Sequence, residues 1–265
     1  MEDLEVEGLV IRETQMGEAD EILTILTADH GKITISGKGV RSMRNRHAAS
    51  VQLFSYSTLL LHKPKKYYYI TDSFFIENFM GIRYDVEKLA LATYLCDVAA
   101  EFSLEDIADP PLMQLTLNAL YAIAYRDDIP LERVKAAYEF RIACEEGFAP
   151  EMFFCGICQK EMTETGYLDV MNGRVLCKDC QERYVNSAAY AMDEVTAKIH
   201  IRLTPAVLCA MRYVMSAPMK RVLSFQLEKS DGEIFSVACE RYLINHLEHS
   251  FPSLEYYHAL RENRL

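Results

Sequence analysis

Between His30 and Lys66 the chain has no acidic residue, although its net charge is -11. That window of 37 residues holds eight basic side chains, Lys32, Lys38, Arg41, Arg44, Arg46, Lys63, Lys65 and Lys66, so the other 228 residues carry -19. A segment kept purely basic in an otherwise acidic protein suits a polyanion, of which nucleic acid is the commonest. The competing reading is a solvated strand and loop face balanced by acidic neighbours in space. Other absences narrow the field further. No apolar run approaches the ~20 residues of a membrane span, and Met1-Glu2-Asp3 has the wrong sign for a secretory leader, so the chain is expected in the cytoplasm. There is no GxGxxG, and Gly37-Lys38-Gly39 lacks the Gly-x4-Gly-Lys-Ser/Thr frame of a phosphate loop. His246, Glu248 and His249 lack the HExxH frame and fit the wet side of a helix. No Ser/His/Asp, Cys/His or paired-carboxylate arrangement can be argued from spacing, and no repeat or low-complexity segment is present.

What is present changes character near residue 80. Before it, the pattern has period two. Strands are expected at Leu4 to Arg12, Glu21 to Thr27, Lys32 to Ser36, Val51 to His62 and Tyr67 to Ile76, with turns at Gly17 to Asp20 and Asp29 to Gly31 and a basic loop opened by Gly37 and Gly39. Five short strands suit a small closed barrel, since closure removes the exposed edges of an open sheet. An OB-fold is the leading candidate and an SH3-like barrel the second. After residue 80 the period becomes 3.6. Asp85 can cap a first helix, Pro110-Pro111 start a second and Pro130 a third that Gly147 ends, which suggests an antiparallel helical bundle. Further helices are expected at Ala188 to Ala191, Thr204 to Ser216 and Gly232 to His249; Arg221 to Ser230 is ambiguous, and Phe251 to Leu265 has no clear period. The expected class is therefore α+β and multidomain: an N-terminal five-stranded OB-fold barrel over 1–80, then an α-helical domain over 81–265 interrupted at 153–184.

That interruption carries four of the eight cysteines. Cys155, Cys158, Cys177 and Cys180 form Cys-x2-Cys-x18-Cys-x2-Cys, the spacing of a tetrathiolate zinc ribbon. Each pair can grip one edge of a tetrahedron at about 2.3 Å from the metal, and four protein ligands leave no open position, so one structural Zn2+ per chain is expected. Gly156, Gly166 and Asn172-Gly173 supply turns, the last between strands at Tyr167 to Met171 and Arg174 to Cys177. Cys96, Cys144, Cys209 and Cys239 lie in apolar helical segments and read as small buried hydrophobes. Tyr67, Tyr68 and Tyr69 follow Lys63, Lys65 and Lys66. Bases can stack on such rings while lysines follow phosphates, and a tyrosine-rich strand is equally ordinary barrel filling.

Together these features resemble the RecO proteins of bacterial recombinational repair. The residues that carry the resemblance are Gly17-Glu18-Ala19-Asp20-Glu21-Ile22, His30-Gly31-Lys32, Gly37-Lys38-Gly39-Val40-Arg41, and Ala48-Ala49 through Gln52 and Phe54. The order of barrel, helical domain and inserted four-cysteine ribbon is also similar, over nearly the whole chain. Leu53 stands where the family often has proline, and Met43 and Asn45 interrupt the basic run. Some family members lack the cysteines, in keeping with a structural metal.

The resemblance implies an OB-fold that binds single- and double-stranded DNA without sequence preference. It further implies a non-enzymatic mediator that anneals complementary strands and helps load RecA on DNA coated by single-stranded-DNA-binding protein. RecR and the acidic tail of the coating protein are the partners it implies, and the bacterial nucleoid the location. On this reading Lys32, Lys38, Arg41, Arg44 and Arg46 track phosphates, with Lys63, Lys65 and Lys66 in a separate hairpin. Two other classes compete: a zinc-ribbon interaction protein whose basic face meets an acidic protein, and a zinc-dependent hydrolase.

Overall fold

The computed structural model describes residues 2–16, 18, 20–40, 45–64, 67–187 and 199–262. Arg41, Arg44, Lys65, Lys66 and the helix expected at Ala188 to Ala191 lie outside these residues. The described chain forms two compact units, the first from 1–127 with 251–265 and the second from 128–250. This division does not follow the change of period near residue 80.

Five antiparallel strands open the first unit: β1 (Glu2–Gln15), β2 (Glu21–Thr27), β3 (Gly31–Gly37), β4 (Tyr56–Lys63) and β5 (Tyr69–Glu77). Their order is β3-β2-β1-β4-β5. Alternation sends Val6, Val10, Leu23, Ile25, Ile35, Leu59, Leu61 and Tyr68 into one core. The expected closure of the barrel is not met. Among the described residues one parallel bridge, Ile35 to Tyr68, joins the two edges, with the Ser36 amide donating to the Tyr68 carbonyl at 2.9 Å. The reason lies at the start of the fifth strand: Tyr68 makes its bridge just before β5 begins at Tyr69, and among the described residues β5 pairs with β4 and not with β3. The fourth strand also starts later than its apolar pattern suggests. Val51 to Ser55 forms a bend in which Phe54 sits at φ 66° and its amide reaches the Val10 carbonyl.

Helix α1 (Val86–Phe102) starts where Asp85 accepts from the Glu87 and Lys88 amides, and α2 (Pro110–Tyr125) where Asp109 accepts from Leu112. The turn His30-Gly31 docks on the loop between them. The Asp106 amide donates to the His30 carbonyl and the Asp109 amide to the Ala28 carbonyl. Gly31 has φ +58°, and a Cβ there would stand 1.9 Å from the Leu104 carbonyl oxygen, so only glycine fits. The segment without clear period holds one more helix, which returns to α1: Tyr94 meets Phe251 edge to face, Ser253 donates to Asp97 and Arg261 pairs with Glu87.

The second unit is built on α3 (Leu131–Ala143), which Gly147 terminates at φ +91°. It continues through β6 (Gly166–Asp169), β7 (Arg174–Cys177), α4 (Lys178–Val185), β8 (His200–Leu203), α5 (Pro205–Ser216) and α6 (Lys229–Leu247). The returning helix of the first unit is α7 (Pro252–Glu262). Helix α3 packs on α5 and α6. Two buried cations serve this packing. The Arg141 guanidinium donates to the carbonyls of Val214, Met215 and Ala217, which end α5. Lys135 sits between Glu139, at 2.8 Å, and Glu240, at 2.5 Å. Burial opposes its charge, yet the two carboxylates raise Lys135 above the ordinary lysine value.

Candidate nucleic-acid interface and metal centre

The described basic residues meet where the sheet edges approach. From the loop after β3, the Lys38 ammonium lies 5.4 Å from the centre of the Tyr69 ring. From the end of β4, Lys63 lies 4.6 Å from that of Tyr68. From the loop before β4, Arg46 donates to the Thr71 carbonyl at 2.6 Å and to His47 at 3.0 Å. Three segments distant in sequence thus place cations along Tyr68 to Thr71. Lys38 and Arg46 are exposed and Lys63 is half-buried. His47 contacts Ser73, and burial together with Arg46 lowers its pKa, which keeps the ring neutral at pH 7.

Lys32 stands apart from this group: its ammonium donates to the Ala100 carbonyl near the C-terminus of α1 at 2.9 Å, a favourable partner for a cation. Tyr68 belongs to the sheet core, whereas Tyr67 and Tyr69 are half-buried. The sequence separates Lys38 from Lys63, and the structure joins them across the Ile35–Tyr68 bridge. Arg46's position on β5 had no sequence signal, because it depends on how the loop folds back. Asp20 and Asn45 organise that loop: the Gly39 amide donates to the Asp20 carboxylate at 2.8 Å, and the Asn45 amide group to the Gly39 carbonyl at 3.0 Å.

The four cysteines of the second unit converge. Their sulfurs lie within 4.8 Å of one another. Cys158 and Cys177 are 3.8 Å apart, and four sulfurs at ~2.3 Å from one tetrahedral ion stand roughly 3.8 Å apart. Cys155 and Cys158 sit on a tight turn where the Cys155 amide donates to Lys160 and the Gln159 amide returns to Cys155. Between the pairs lies the β6–β7 hairpin, whose four-residue turn ends at Gly173, with φ +57°. Asn172 and Arg174 both donate to Asp169 at the hairpin's base. The second pair opens α4, Cys177 as its N-cap and Cys180 in its first turn, where helix amides favour anionic sulfur.

Electrostatics at the four sulfurs favour a cation. Burial raises the Cys155 thiol, but the amides of Cys158, Cys177 and Ile157 pull it down to about 6. Burial and the adjacent thiols push Cys180 up to about 12. Four crowded sulfurs cannot all ionise without a counter-charge, and a divalent metal supplies it. A third strand of this sheet, β8, pairs with β6 from beyond residue 184; four residues with no turn signal of their own gave no sequence cue to it. Among the described residues this is the one cluster suited to a metal, and no helix is long and apolar enough to cross a membrane.

Comparison with known proteins agrees over both units. Residues 1–79 match the family described as Recombination protein O N terminal, and residues 83–255 that described as Recombination protein O C terminal. The chain is 30% identical over 260 residues to a protein of Acetivibrio thermocellus named DNA repair protein RecO, covering 98% of each. A protein of the same name from Alkaliphilus metalliredigens is 26% identical, over 95% of this chain and 97% of that one. Another, from Dehalococcoides mccartyi, is 32% identical over 68% of this chain and 70% of its own.

Proposed function

Because this chain belongs to the RecO family of DNA repair proteins, we propose that it is a non-enzymatic recombination mediator that binds and anneals single-stranded DNA and assists the loading of RecA. The observation that carries this reading is the convergence of Lys38, Arg46 and Lys63 on Tyr68 to Thr71. Cations set on a rigid strand neutralise phosphates and release their counterions, and this gain is indifferent to base sequence. Two complementary strands held there repel each other less, which is what annealing requires.

Arg41, Arg44, Lys65 and Lys66, which lie outside the described residues, also neutralise phosphates in this proposal, and Lys32 contributes with the ammonium donors that Ala100 leaves. Unpaired bases would stack on the accessible Tyr67 and Tyr69 rings, while Tyr68 fills the core. Zinc held by Cys155, Cys158, Cys177 and Cys180 would supply a cross-link and no open coordination position. RecR and the acidic tail of single-stranded-DNA-binding protein are the partners of this reading, and the bacterial cytoplasm its location. The test is binding and annealing of labelled complementary oligonucleotides without nucleotide cofactor, over a salt series. Annealing with steep salt dependence is expected; binding absent at low salt refutes the proposal.

A further inference from the structure

The outer face of the same sheet carries the opposite charge. Strand register aligns Glu5 with Leu60 and Asp72, and Glu7 with Thr58 and Phe74. Leu4 and Val6 point to the core, so Asp3, Glu5 and Glu7 stand on the outside at intervals of about 7 Å. Neither of these two rows contains a lysine or arginine, whereas the neighbouring row, Asp3–His62–Tyr69, ends beneath Lys38 and bounds the acidic patch. Next to the carboxylates the surface is apolar: Phe74 is 57% exposed and Ile76 44%. At the margin lies a cavity of about 390 Å³ bordered by Glu5, Glu7, Asp29, His30 and Tyr56. The Tyr56 hydroxyl donates to Glu7, and burial together with that carboxylate raises the phenol's pKa, so it stays a hydrogen-bond donor.

Charge selects the occupant of this face. Glu5, Glu7 and Asp72 repel a nucleic acid. A second copy meeting the patch by two-fold symmetry would set the same carboxylates against each other. A polypeptide with basic and apolar side chains satisfies both halves of the surface. We infer that the outer face of β1, β4 and β5 docks a basic, partly apolar segment of a protein partner, one arginine or lysine entering the cavity beside Glu5 and Glu7. This docking does not rest on the DNA reading, because it uses the Glu5 and Glu7 rows, not the Tyr69 row beside them, and the opposite charge.

The test uses the full chain and a fluorescent peptide of about twelve residues alternating arginine and leucine, with a glutamate-leucine peptide as control. At ~0.15 M salt, where long-range attraction is screened, only the basic peptide should bind. Its affinity should fall about tenfold or more in the Glu5→Lys/Glu7→Lys variant and in Phe74→Ser, a loss of ~1.4 kcal/mol or more. Saturating oligothymidylate should leave it unchanged. Absence of peptide binding, or equal binding by folded variants, overturns the inference. So does a fall in DNA affinity in Phe74→Ser, which would make the face a base-stacking surface, or a wild-type dimer that Phe74→Ser dissociates in sedimentation. Phe74 is exposed, so that variant stands if the charge reversal fails to fold.

Discussion

Removing the charges of Lys38, Arg46 and Lys63 together, as glutamines, isolates the contribution of the edge seam to DNA binding. Each phosphate contact on a single strand contributes about 0.7 to the slope of log affinity against log salt. Three contacts therefore account for a slope of about 2, and for a roughly twenty-fold share of the affinity lost between ~50 and ~200 mM salt. Among the described residues these side chains reach rings, a carbonyl and a neighbouring histidine. Their replacement should shift stability by no more than about 0.5 kcal/mol. Fluorescence anisotropy of an oligothymidylate across a salt series reads the slope, and a thermal melt checks the fold. A triple variant with the wild-type slope refutes the assignment, whatever its affinity at a single salt. Loss of affinity at unchanged slope would mean that the three act through loop structure instead of on phosphates.

Further outcomes follow from other parts of the molecule. The purified chain should hold one zinc by mass spectrometry, and Cys177→Ser should release it and raise amide exchange across 153–185 without affecting β1 to β5; a metal-free chain of equal stability contradicts this. Lys135→Met removes the buried ammonium that pairs with Glu139 and Glu240 and should cost about 3–5 kcal/mol, while adding Glu139→Leu should recover much of the loss in urea melts. Because folding raises the Lys135 pKa, its stabilisation is fully present below the ordinary lysine value of about 10.4 and is lost as pH rises through the folded value. The wild-type advantage over Lys135→Met should therefore hold at pH 7 to 9 and shrink in alkali. Gly31→Ala should destabilise by more than ~2 kcal/mol, against about 1–2 for Gly39→Ala, whose φ is also positive but whose Cβ meets nothing.

The strands were legible because one face of each is buried, which imprints period two: β2 falls on Glu21–Thr27 as its alternation predicts. Helix starts were legible from a capping side chain at Asp85 and from prolines at Pro110, Pro130 and Pro205; the caps at Asp109 and Thr204 came with the structure. The four-cysteine cluster was legible because its members come in local pairs. Closure of the sheet was not, since it depends on backbone contacts between β3 and Tyr68 that no side-chain pattern records. Helix α7 was missed for a related reason. Only Leu254 and Tyr257 are buried in it, too few to show a period. The His30-Gly31-Lys32 motif read as part of the basic surface. In the fold, it joins the sheet to the α1–α2 loop through Gly31 and ties Lys32 to Ala100.

The first unit's dependence on residues after 250 bears on how the chain is made. The sheet and α1 leave the ribosome early, but Phe251, Ser253 and Arg261, which meet Tyr94, Asp97 and Glu87, are synthesised only after the second unit. The helices of the second unit lie between them in the chain and can fold first, because their contacts are complete by residue 250. A nascent chain stalled within the second unit would carry a finished sheet with part of α1 bare, and such apolar surface is what chaperones bind. Helix α7 thus joins the first unit only after the whole of the second has been translated.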